Sequence, residues 1–218
     1  MARFRPSQLL KRNLERKKGA APLTGARIVV GLGNPGPHYA YNRHNVGARA
    51  TADLSKLLKL PLTTKTKNAI LGQGETEVGP LVIAQPRTFM NESGLAVQSL
   101  LTQHKAKPQD LILIVDEMDI EVGRIRIRPG GGDGGQKGMR SIKQRIGSTD
   151  YPRIRIGVGR PYVAGEPSRE PAAVSDHLLS DSPREEAQLL REAELRAAEA
   201  VVVILRDGVE AAMNQFNA

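Results

Sequence analysis

The sequence predicts a single α/β domain with a mixed, twisted sheet and helices on both faces of the sheet. Its length of 218 residues suits one such domain and lets the fold bury roughly 70% of the surface that the unfolded chain exposes. Short β-branched runs alternate with helical patterns along the chain, which is the order of elements that α/β folds require. The absence of cysteine excludes a disulfide scaffold, a cysteine nucleophile and cysteine-bound zinc or iron–sulfur clusters.

The first predicted elements are a strand, a helix and a strand pair. Residues 26–32 form a β-branched run that ends in glycine, as is typical of a buried strand. Residues 46–60 predict a helix that stops at Pro61, because proline lacks the amide hydrogen that a continuing helix needs. Residues 68–74 and 81–85 predict two strands linked through a Gly-Pro pair.

The middle of the chain predicts a helix and three strands. Residues 91–104 have leucine and valine on one helical side, and residues 110–116 are an apolar run typical of a central strand. Residues 124–128 and 153–158 alternate arginine with isoleucine. Because successive side chains of a strand point to opposite faces, these two segments predict strands with one basic and one apolar face.

The last predicted elements are helical. Residues 141–146 close a helix that ends at Gly147, since glycine commonly follows the last helical residue. A stretch rich in proline and glycine covers residues 159–171. Residues 183–214 predict one long helix, with Asp207-Gly208 as the place where it would break.

Basic charge is concentrated in two segments. Residues 1–23 contain seven Lys and Arg without a strand pattern, and they predict a flexible basic arm ahead of an α/β domain at 24–218. Residues 124–160 carry a net +8 and residues 161–218 a net −6. A dipolar protein with such basic segments often binds a polyanion, and a solvated charged face is the alternative. The longest apolar run has six residues, whereas a membrane-spanning helix needs about 20.

Residues 31–36 read Gly-Leu-Gly-Asn-Pro-Gly after a predicted strand, which matches the G-x-G-x-x-G pattern of dinucleotide sites. Two features disfavour that interpretation: no helix starts directly after the glycines, and Asp53 lies inside a predicted helix instead of at the tip of the next strand. The glycines still let a ligand approach the backbone closely. Asn34 then lies at the carboxyl end of a strand, where open α/β sheets bind ligands.

His44 follows that strand, and Asp116 and Asp119 follow another apolar strand. If the two strands are parallel neighbours, the histidine and a carboxylate share one edge of the sheet. A carboxylate that orients an imidazole and keeps it basic completes a general-base pair. A structural histidine and a metal site are the alternatives, and the single nearby histidine with an adjacent arginine disfavours zinc or magnesium.

Two further segments are rich in polar or flexible residues. Asn91 and Ser93 lie at a predicted helix start, where asparagine commonly caps the helix and where the corner also faces the predicted cleft. Residues 130–138 contain six glycines. They predict either a flexible loop or a backbone that wraps around a phosphate or a substrate chain.

Taken together, six motifs resemble those of the bacterial-type peptidyl-tRNA hydrolases, in the same order from residue 26 to the C-terminal helix. They are Gly31-Leu-Gly-Asn-Pro-Gly36, Arg43-His-Asn-Val-Gly47, Phe89-Met-Asn-Glu-Ser-Gly94, Asp116-Glu-Met-Asp119, Gly130-Gly-Gly-Asp-Gly-Gly135 and Arg153-Ile-Arg-Ile-Gly-Val-Gly-Arg-Pro161. The resemblance implies a monomeric, cytoplasmic enzyme of phosphorylase/hydrolase-like α/β fold. Such an enzyme cleaves the ester between a peptide and the terminal ribose of tRNA, and so recycles tRNA from stalled translation. Peptidyl-tRNA is the implied partner, and no metal, organic cofactor or membrane is implied.

The resemblance also implies roles for the matching residues. His44 is the general base, Asp116 keeps it in the proton-accepting form, and Asn34 reads the blocked first residue of the peptide. The cleft for the peptide and the acceptor end is lined by Tyr39, Phe89, Met90 and Asn91, and the 5′-phosphate of tRNA is held by Arg128 and Arg155. Residues 171–182 form a flap over the cleft.

One position departs from the family pattern. Most of the family has His-Asn where this chain has Gln136-Lys137, and that asparagine holds the substrate or the attacking water. Lysine keeps a donor, loses the acceptor and adds a positive charge that opposes protonation of His44. We hypothesise that Lys137 supports the oxyanion or an RNA phosphate instead. Because of this change and the basic arm, a second function class remains an alternative, namely a non-catalytic RNA-binding relative with the same fold.

Overall fold

The computed structural model describes residues 21–217, which form one α/β unit around a seven-stranded sheet. Residues 1–20 of the predicted basic arm lie outside the described residues. The strands of the main sheet are β1 (Arg27–Gly31), β2 (Thr64–Lys65), β3 (Ala69–Thr76), β4 (Gly79–Pro86), β5 (Leu111–Glu117), β6 (Ile125–Arg128) and β7 (Arg153–Gly157), and a separate hairpin consists of β8 (Tyr162–Val163) and β9 (Glu166–Pro167). The helices are α1 (Val46–Leu57), α2 (Ser93–His104), α3 (Lys137–Ile146), α4 (Pro171–Leu178), α5 (Arg184–Asp207) and α6 (Val209–Phe216).

The sheet is mixed, with the strand order β2-β3-β4-β1-β5-β7-β6. The central strands β4, β1, β5 and β7 run parallel to one another, whereas β2, β3 and β6 pair antiparallel with their neighbours. Strand β1 pairs directly with β5, with Val30 opposite Leu113. The carboxyl ends of β1 and β5 therefore meet at one edge of the sheet, which is the condition for His44 and the acidic motif to share a site.

Both faces of the sheet carry a hydrophobic layer, because the central strands are apolar on both sides. Along β1, Val29 packs into the layer that includes α1, α5 and α6, whereas Ile28 and Val30 pack into the layer that includes α2 and α3. Parallel strands covered by helices on both faces are nearly continuous apolar runs. The predicted fold class, one α/β domain with a mixed sheet between helical layers, is confirmed.

The helix predicted for residues 91–104 begins later than expected. It starts at Ser93, after a 3₁₀ turn at Met90–Glu92. The helix cap considered for Asn91 is therefore wrong, and the exposed side chain of Asn91 makes no hydrogen bond to another described residue. The predicted break of the long C-terminal helix is confirmed at Gly208, whose φ of 90° and ψ of 170° are not helical.

The segment between β7 and α5 is more ordered than its composition indicates. Its proline- and glycine-rich part contains the β8–β9 hairpin, with Ala164 and Gly165 at positive φ in the turn. Helix α4 follows, in the region for which only a flap is expected from the family resemblance. Within residues 21–217, no helix combines the length and the apolar character that a membrane span requires.

Candidate active site

His44 and Asp116 form a close pair at the carboxyl edge of the sheet. His44 lies in a 3₁₀ turn (Arg43–Asn45) between β1 and α1, and Asp116 lies near the end of β5. The imidazole Nδ1 is 2.9 Å from the carboxylate Oδ2, with 10% of the histidine side chain and 2% of the aspartate side chain exposed. The Nδ1–H direction is not aligned with this oxygen, as is common for catalytic pairs before substrate binds. Pairing through Nδ1 leaves Nε2 as the ring nitrogen that can accept a proton.

Two glycines allow the turn with His44 to approach the strand ends. A Cβ on Gly47 would lie 2.4 Å from the carbonyl oxygen of Ile114 in β5, and a Cβ on Gly31 would lie 2.0 Å from the carbonyl oxygen of Gly47. Real Cβ atoms do not come within 3.0 Å of such atoms. The first turn of α1 also binds the residue that follows β1, through a 2.9 Å hydrogen bond from the Ala48 amide to the Leu32 carbonyl. Helix α1 therefore begins directly on the ends of β1 and β5, and this places His44 beside Asp116.

The side chain of Asn34 has a fixed orientation. Its Oδ1 accepts a 2.8 Å hydrogen bond from the Met90 amide, so its NH₂ group is left for the cleft. The side chain of Asn45 binds both backbone groups of Asn34: its Oδ1 accepts from the amide and its Nδ2 donates to the carbonyl, each at 2.9 Å. Because Asn45 follows His44 directly in the chain, one short turn positions both candidate catalytic residues.

A cleft of about 700 Å³ opens over these residues. Eight of the ten sequence-predicted site residues line it: Asn34, Tyr39, His44, Phe89, Met90, Asn91, Asp116 and Lys137. Helix α4 and the residue after it form the facing wall, through Pro171, Val174, Ser175, Leu178 and Leu179. The rings of Tyr39 and Phe89 pack edge to face, with their centroids 6.3 Å apart. An apolar and aromatic wall beside a few directed polar groups is the usual composition of a substrate site.

The other two predicted site residues, Arg128 and Arg155, do not line the cleft. In the antiparallel pairing of β6 and β7, Arg126 is opposite Arg155 and Arg128 is opposite Arg153, so all four arginines share one face of the sheet. The Arg155 Nε donates a 2.8 Å hydrogen bond to Oε2 of Glu117, a residue that lines the cleft. Arg128 is exposed at the end of β6.

The two aspartates of the motif Asp116-Glu-Met-Asp119 have different surroundings. Asp116 is buried against His44, whereas Asp119 is 57% exposed and binds the Arg160 Nε at 2.6 Å. The hydrogen bond from Arg160 lowers the pKa of Asp119, with smaller electrostatic contributions from Arg169 and Arg155. Asp116 is therefore the carboxylate of the histidine pair.

Gln136 and Lys137 lie at the start of α3 and both line the cleft. The Gln136 Oε1 accepts a 2.8 Å hydrogen bond from the Met139 amide and so caps the helix. The Gln136 Nε2 donates a 3.0 Å hydrogen bond to the Asp116 Oδ1. Lys137 is exposed at the first position of the helix. Arg153 binds the glycine loop before α3, because its guanidinium donates hydrogen bonds to the carbonyls of Gly131 and Gly132.

Arg43 connects the catalytic turn to the far end of α4. The Arg43 guanidinium, almost completely buried, donates to the hydroxyl of Ser180 (2.8 Å) and the carbonyl of Asp181 (3.1 Å), and it forms an ion pair with Glu186 (2.7 Å). The neighbouring Asn42 donates to the Asp181 carboxylate at 2.8 Å. The wall formed by α4 is thus anchored to the turn that carries His44.

The sequence patterns gave no role to several residues that shape this site. Arg43 and Asn45 flank His44 within the motif Arg43-His-Asn-Val-Gly47, but the motif assigned no role to either residue. Gln136 was recognised only as a departure from the family pattern. Arg160 and Arg169 bring cations to the cleft from either side of the β8–β9 hairpin. Among residues 21–217, no group of three or more His, Asp or Glu side chains is arranged to hold a metal ion.

Comparisons with known proteins give a consistent result. The family model described as peptidyl-tRNA hydrolase matches residues 28–218. A peptidyl-tRNA hydrolase from Rhodococcus opacus is 42% identical over 192 residues, covering 87% of this chain and 97% of that protein. One from Syntrophomonas wolfei is 37% identical over 191 residues, covering 88% of this chain and 100% of that protein. The crystal structure of peptidyl-tRNA hydrolase from Acinetobacter baumannii superposes with a TM-score of 0.80 at 32% identity, covering 91% of this chain and 98% of that chain.

Proposed function

Because the chain belongs to the peptidyl-tRNA hydrolase family, we propose that it hydrolyses the ester between a peptide and the terminal ribose of tRNA with His44 as its general base. The observation that carries this assignment of roles is the 2.9 Å approach of the His44 Nδ1 to the Asp116 Oδ2 at the base of the cleft. The comparisons offer no support for the non-catalytic alternative, since the relatives described above are named as hydrolases.

The proposed reaction uses only water and these side chains. The Nε2 atom of His44 takes a proton from a water molecule, which attacks the ester carbonyl carbon and forms a tetrahedral intermediate. Asp116 stabilises the imidazolium that results and holds the ring in position. When the carbon–oxygen bond to the ribose breaks, the imidazolium returns its proton to the leaving ribose hydroxyl. The products are tRNA and a peptide carboxylic acid, which releases its proton to the solvent and becomes a carboxylate.

The negative charge of the tetrahedral intermediate needs directed donors. The NH₂ group of Asn34 is held in place by the Met90 contact at Oδ1, and the amide of Asn91 and the ammonium of Lys137 line the same cleft. Asn34 also provides a donor to a peptide carbonyl. Tyr39 and Phe89 supply an apolar surface for the peptide side chains.

We assign contacts with the RNA to the basic face of strands β6 and β7. Arg128 and Arg155 share one face of the β6–β7 pair, and guanidinium groups suit bidentate contacts with phosphate. Their position outside the cleft suits a part of tRNA that is distant from the ester. A monomer, a cytoplasmic location and a separate basic arm remain expectations, which the native mass in solution and the cellular distribution of the protein would test.

The deciding experiment measures release of the N-blocked amino acid from N-blocked aminoacyl-tRNA by wild type and His44→Ala. Loss of a general base is expected to lower kcat by about 10²- to 10⁴-fold. The matched control is His38→Ala, because His38 is an exposed histidine of the same connection and does not line the cleft. Equal rates for wild type and His44→Ala would contradict the proposed role of His44, and no turnover by wild type would leave only RNA binding.

A further inference from the structure

The Gln136 side chain joins the start of α3 to the catalytic pair. The Asp116 Oδ1 receives the hydrogen bond from the Gln136 Nε2 at 3.0 Å, and the other carboxylate oxygen, Oδ2, lies 2.9 Å from the His44 Nδ1. Both oxygens of this buried carboxylate therefore have an assigned neighbour. A carboxylate with one unpartnered oxygen could rotate about its Cβ–Cγ bond, whereas a donor on the second oxygen opposes that rotation.

The amide of Gln136 can be oriented in only one way. Its Oε1 accepts from the Met139 amide at 2.8 Å, and this leaves Nε2 facing Asp116. Exchanging the two ends would place an oxygen against a carboxylate oxygen and a donor against a donor, so that both hydrogen bonds would be lost. The Nε2 group is also 3.4 Å from the Met90 sulfur.

The surroundings of Gln136 hold the side chain in place. A Cβ on Gly138 would lie 2.6 Å from the Met90 sulfur and 3.0 Å from the Gln136 Oε1. A side chain at position 138 would therefore require the Met90 and Gln136 side chains to shift. The start of α3 is therefore packed closely against the wall of the cleft.

We propose that Gln136 is a positioning residue for the hydrolytic reaction, which orients Asp116 and through it His44; this inference rests on the proposed function. The helix cap fixes one end of the amide, and the other end fixes the carboxylate. The imidazole is thereby kept with Nδ1 toward Asp116 and Nε2 toward the substrate. Gln136 does not touch the reacting atoms, and its effect passes entirely through Asp116.

The opposing explanation is that Gln136 only caps α3. The two roles use different atoms of one amide, so a shorter capping residue separates them. In Gln136→Ser the hydroxyl oxygen still accepts from the helix amides, since serine is among the best N-cap residues. It is too short to reach Asp116. A variant that keeps the cap and loses only the carboxylate contact is thus available.

The test compares Gln136→Ser with wild type in kcat, KM and the pH dependence of kcat/KM, together with thermal unfolding. For Gln136→Ser we expect an unchanged unfolding temperature and little change in KM. We expect kcat to fall by about 10- to 100-fold, which corresponds to the loss of one hydrogen bond to a charged group. Because protonated His44 loses stabilisation from a misplaced carboxylate, the acidic limb of the profile is expected to move to lower pH. Gln144→Ser on the exposed side of α3 is the matched control and should behave as wild type.

A shift of the pH profile in Gln136→Ser can be attributed to the lost contact between Gln136 and Asp116, because the substitution leaves the charged and titratable groups at the cleft unchanged. These groups are Tyr39, Asp116 and Glu117 of the cleft base, Lys137 at the start of α3, and Arg160 and Arg169 at the hairpin.

A double-mutant cycle with Asp116→Asn decides whether the effect passes through Asp116. If it does, Gln136→Ser has no further effect on kcat in the Asp116→Asn background. Wild-type kcat and pH profile in a folded Gln136→Ser enzyme would overturn the proposal, as would full additivity in the cycle. If Gln136→Ser does not fold, Gln136→Thr provides a second short and neutral cap for the same comparison. If Gln136→Ser behaves as wild type while His44→Ala is inactive, only the role of Gln136 is rejected and the proposed function stands. An active His44→Ala would reject the proposed function itself.

Discussion

At the scale of single residues, amide side chains position the candidate catalytic groups. Asn45 binds both backbone groups of Asn34, and the Asn34 Oδ1 in turn accepts from the Met90 amide. Gln136 performs the corresponding task for Asp116. These amides stay neutral at all accessible pH values, so the orientation of Asn34 and Asp116 does not depend on a further titration.

Lys137 is the residue for which the family resemblance is least informative. It lines the cleft at the first position of α3, and we propose that its ammonium contacts the oxyanion or a phosphate of the RNA. We expect Lys137→Asn to lower kcat by about 10-fold, which corresponds to one charge-assisted hydrogen bond.

The control for this prediction is Lys143→Asn on the exposed side of the same helix, and its kcat should equal that of wild type. Both variants are assayed on N-blocked aminoacyl-tRNA. A faster reaction in Lys137→Asn would show that lysine is not a working substitute for the asparagine of the family pattern.

At the scale of elements, the site depends on how closely α1 approaches the sheet. The first turn of α1 contacts β1 and β5 backbone to backbone, which is possible because Gly31 and Gly47 have no side chains. The 3₁₀ turn that precedes α1 carries His44, and Arg43 in the same turn holds the chain that leaves α4. A displacement of α1 would therefore move the general base and the wall of the cleft together.

Gly47→Ala tests this dependence. The added Cβ would meet the Ile114 carbonyl oxygen at 2.4 Å and the Leu32 backbone at 2.8 Å, so the helix start must move. We expect the free energy of unfolding to fall by about 1–3 kcal/mol and kcat to fall by up to about 100-fold, because displacements of about 1 Å have such effects on catalysis. Chemical denaturation and turnover are the two measurements.

Gly132→Ala is the control for that variant, since its Cβ would meet nothing within 4 Å and its φ is ordinary. It should leave both stability and kcat near the wild-type values. A folded Gly47→Ala enzyme with wild-type kcat would show that the approach of α1 does not position His44.

At the scale of the whole molecule, charge is distributed unevenly. Residues 124–160 are strongly basic and residues 161–218 are acidic. Helix α3 begins at the cleft, while many of the acidic residues lie on α5, on the opposite side of the sheet. Such a distribution favours approach of a polyanion from the side of the cleft.

The predicted basic arm adds a test of RNA binding at this scale. A deletion of residues 1–20 leaves the contacts of the following segment, in which the Ala21 carbonyl accepts from Gln73 and the Leu23 carbonyl lies 3.0 Å from the His104 Nδ1. We expect weaker tRNA affinity, unchanged kcat and a salt dependence of binding that is flatter by about 0.9 for each lost phosphate contact. An unchanged slope would show that the arm does not contact the RNA.

Most of the architecture was predictable because it depends on local pattern. The apolar runs of β1 and β5, the Arg/Ile alternation of β6 and β7 and the break at Gly208 all appear where the sequence predicts them. The β8–β9 hairpin and α4 were missed, since proline and glycine there obscure any periodicity. The start of α2 was misplaced by two residues, because the first polar residues form a 3₁₀ turn and not the helix itself.

The sequence by itself determined the fold class, the family resemblance and the candidate residues His44, Asp116 and Asn34, because these follow from periodicity, composition and motif order. The tertiary structure places Asp116, the partner that the resemblance implied, and not Asp119 against His44. Only the tertiary structure decided that Gln136 binds Asp116 and that Arg128 and Arg155 do not line the cleft. The physical reason is that such contacts join residues far apart in the chain, and their geometry depends on how the strands pair and on how closely the helices approach the sheet.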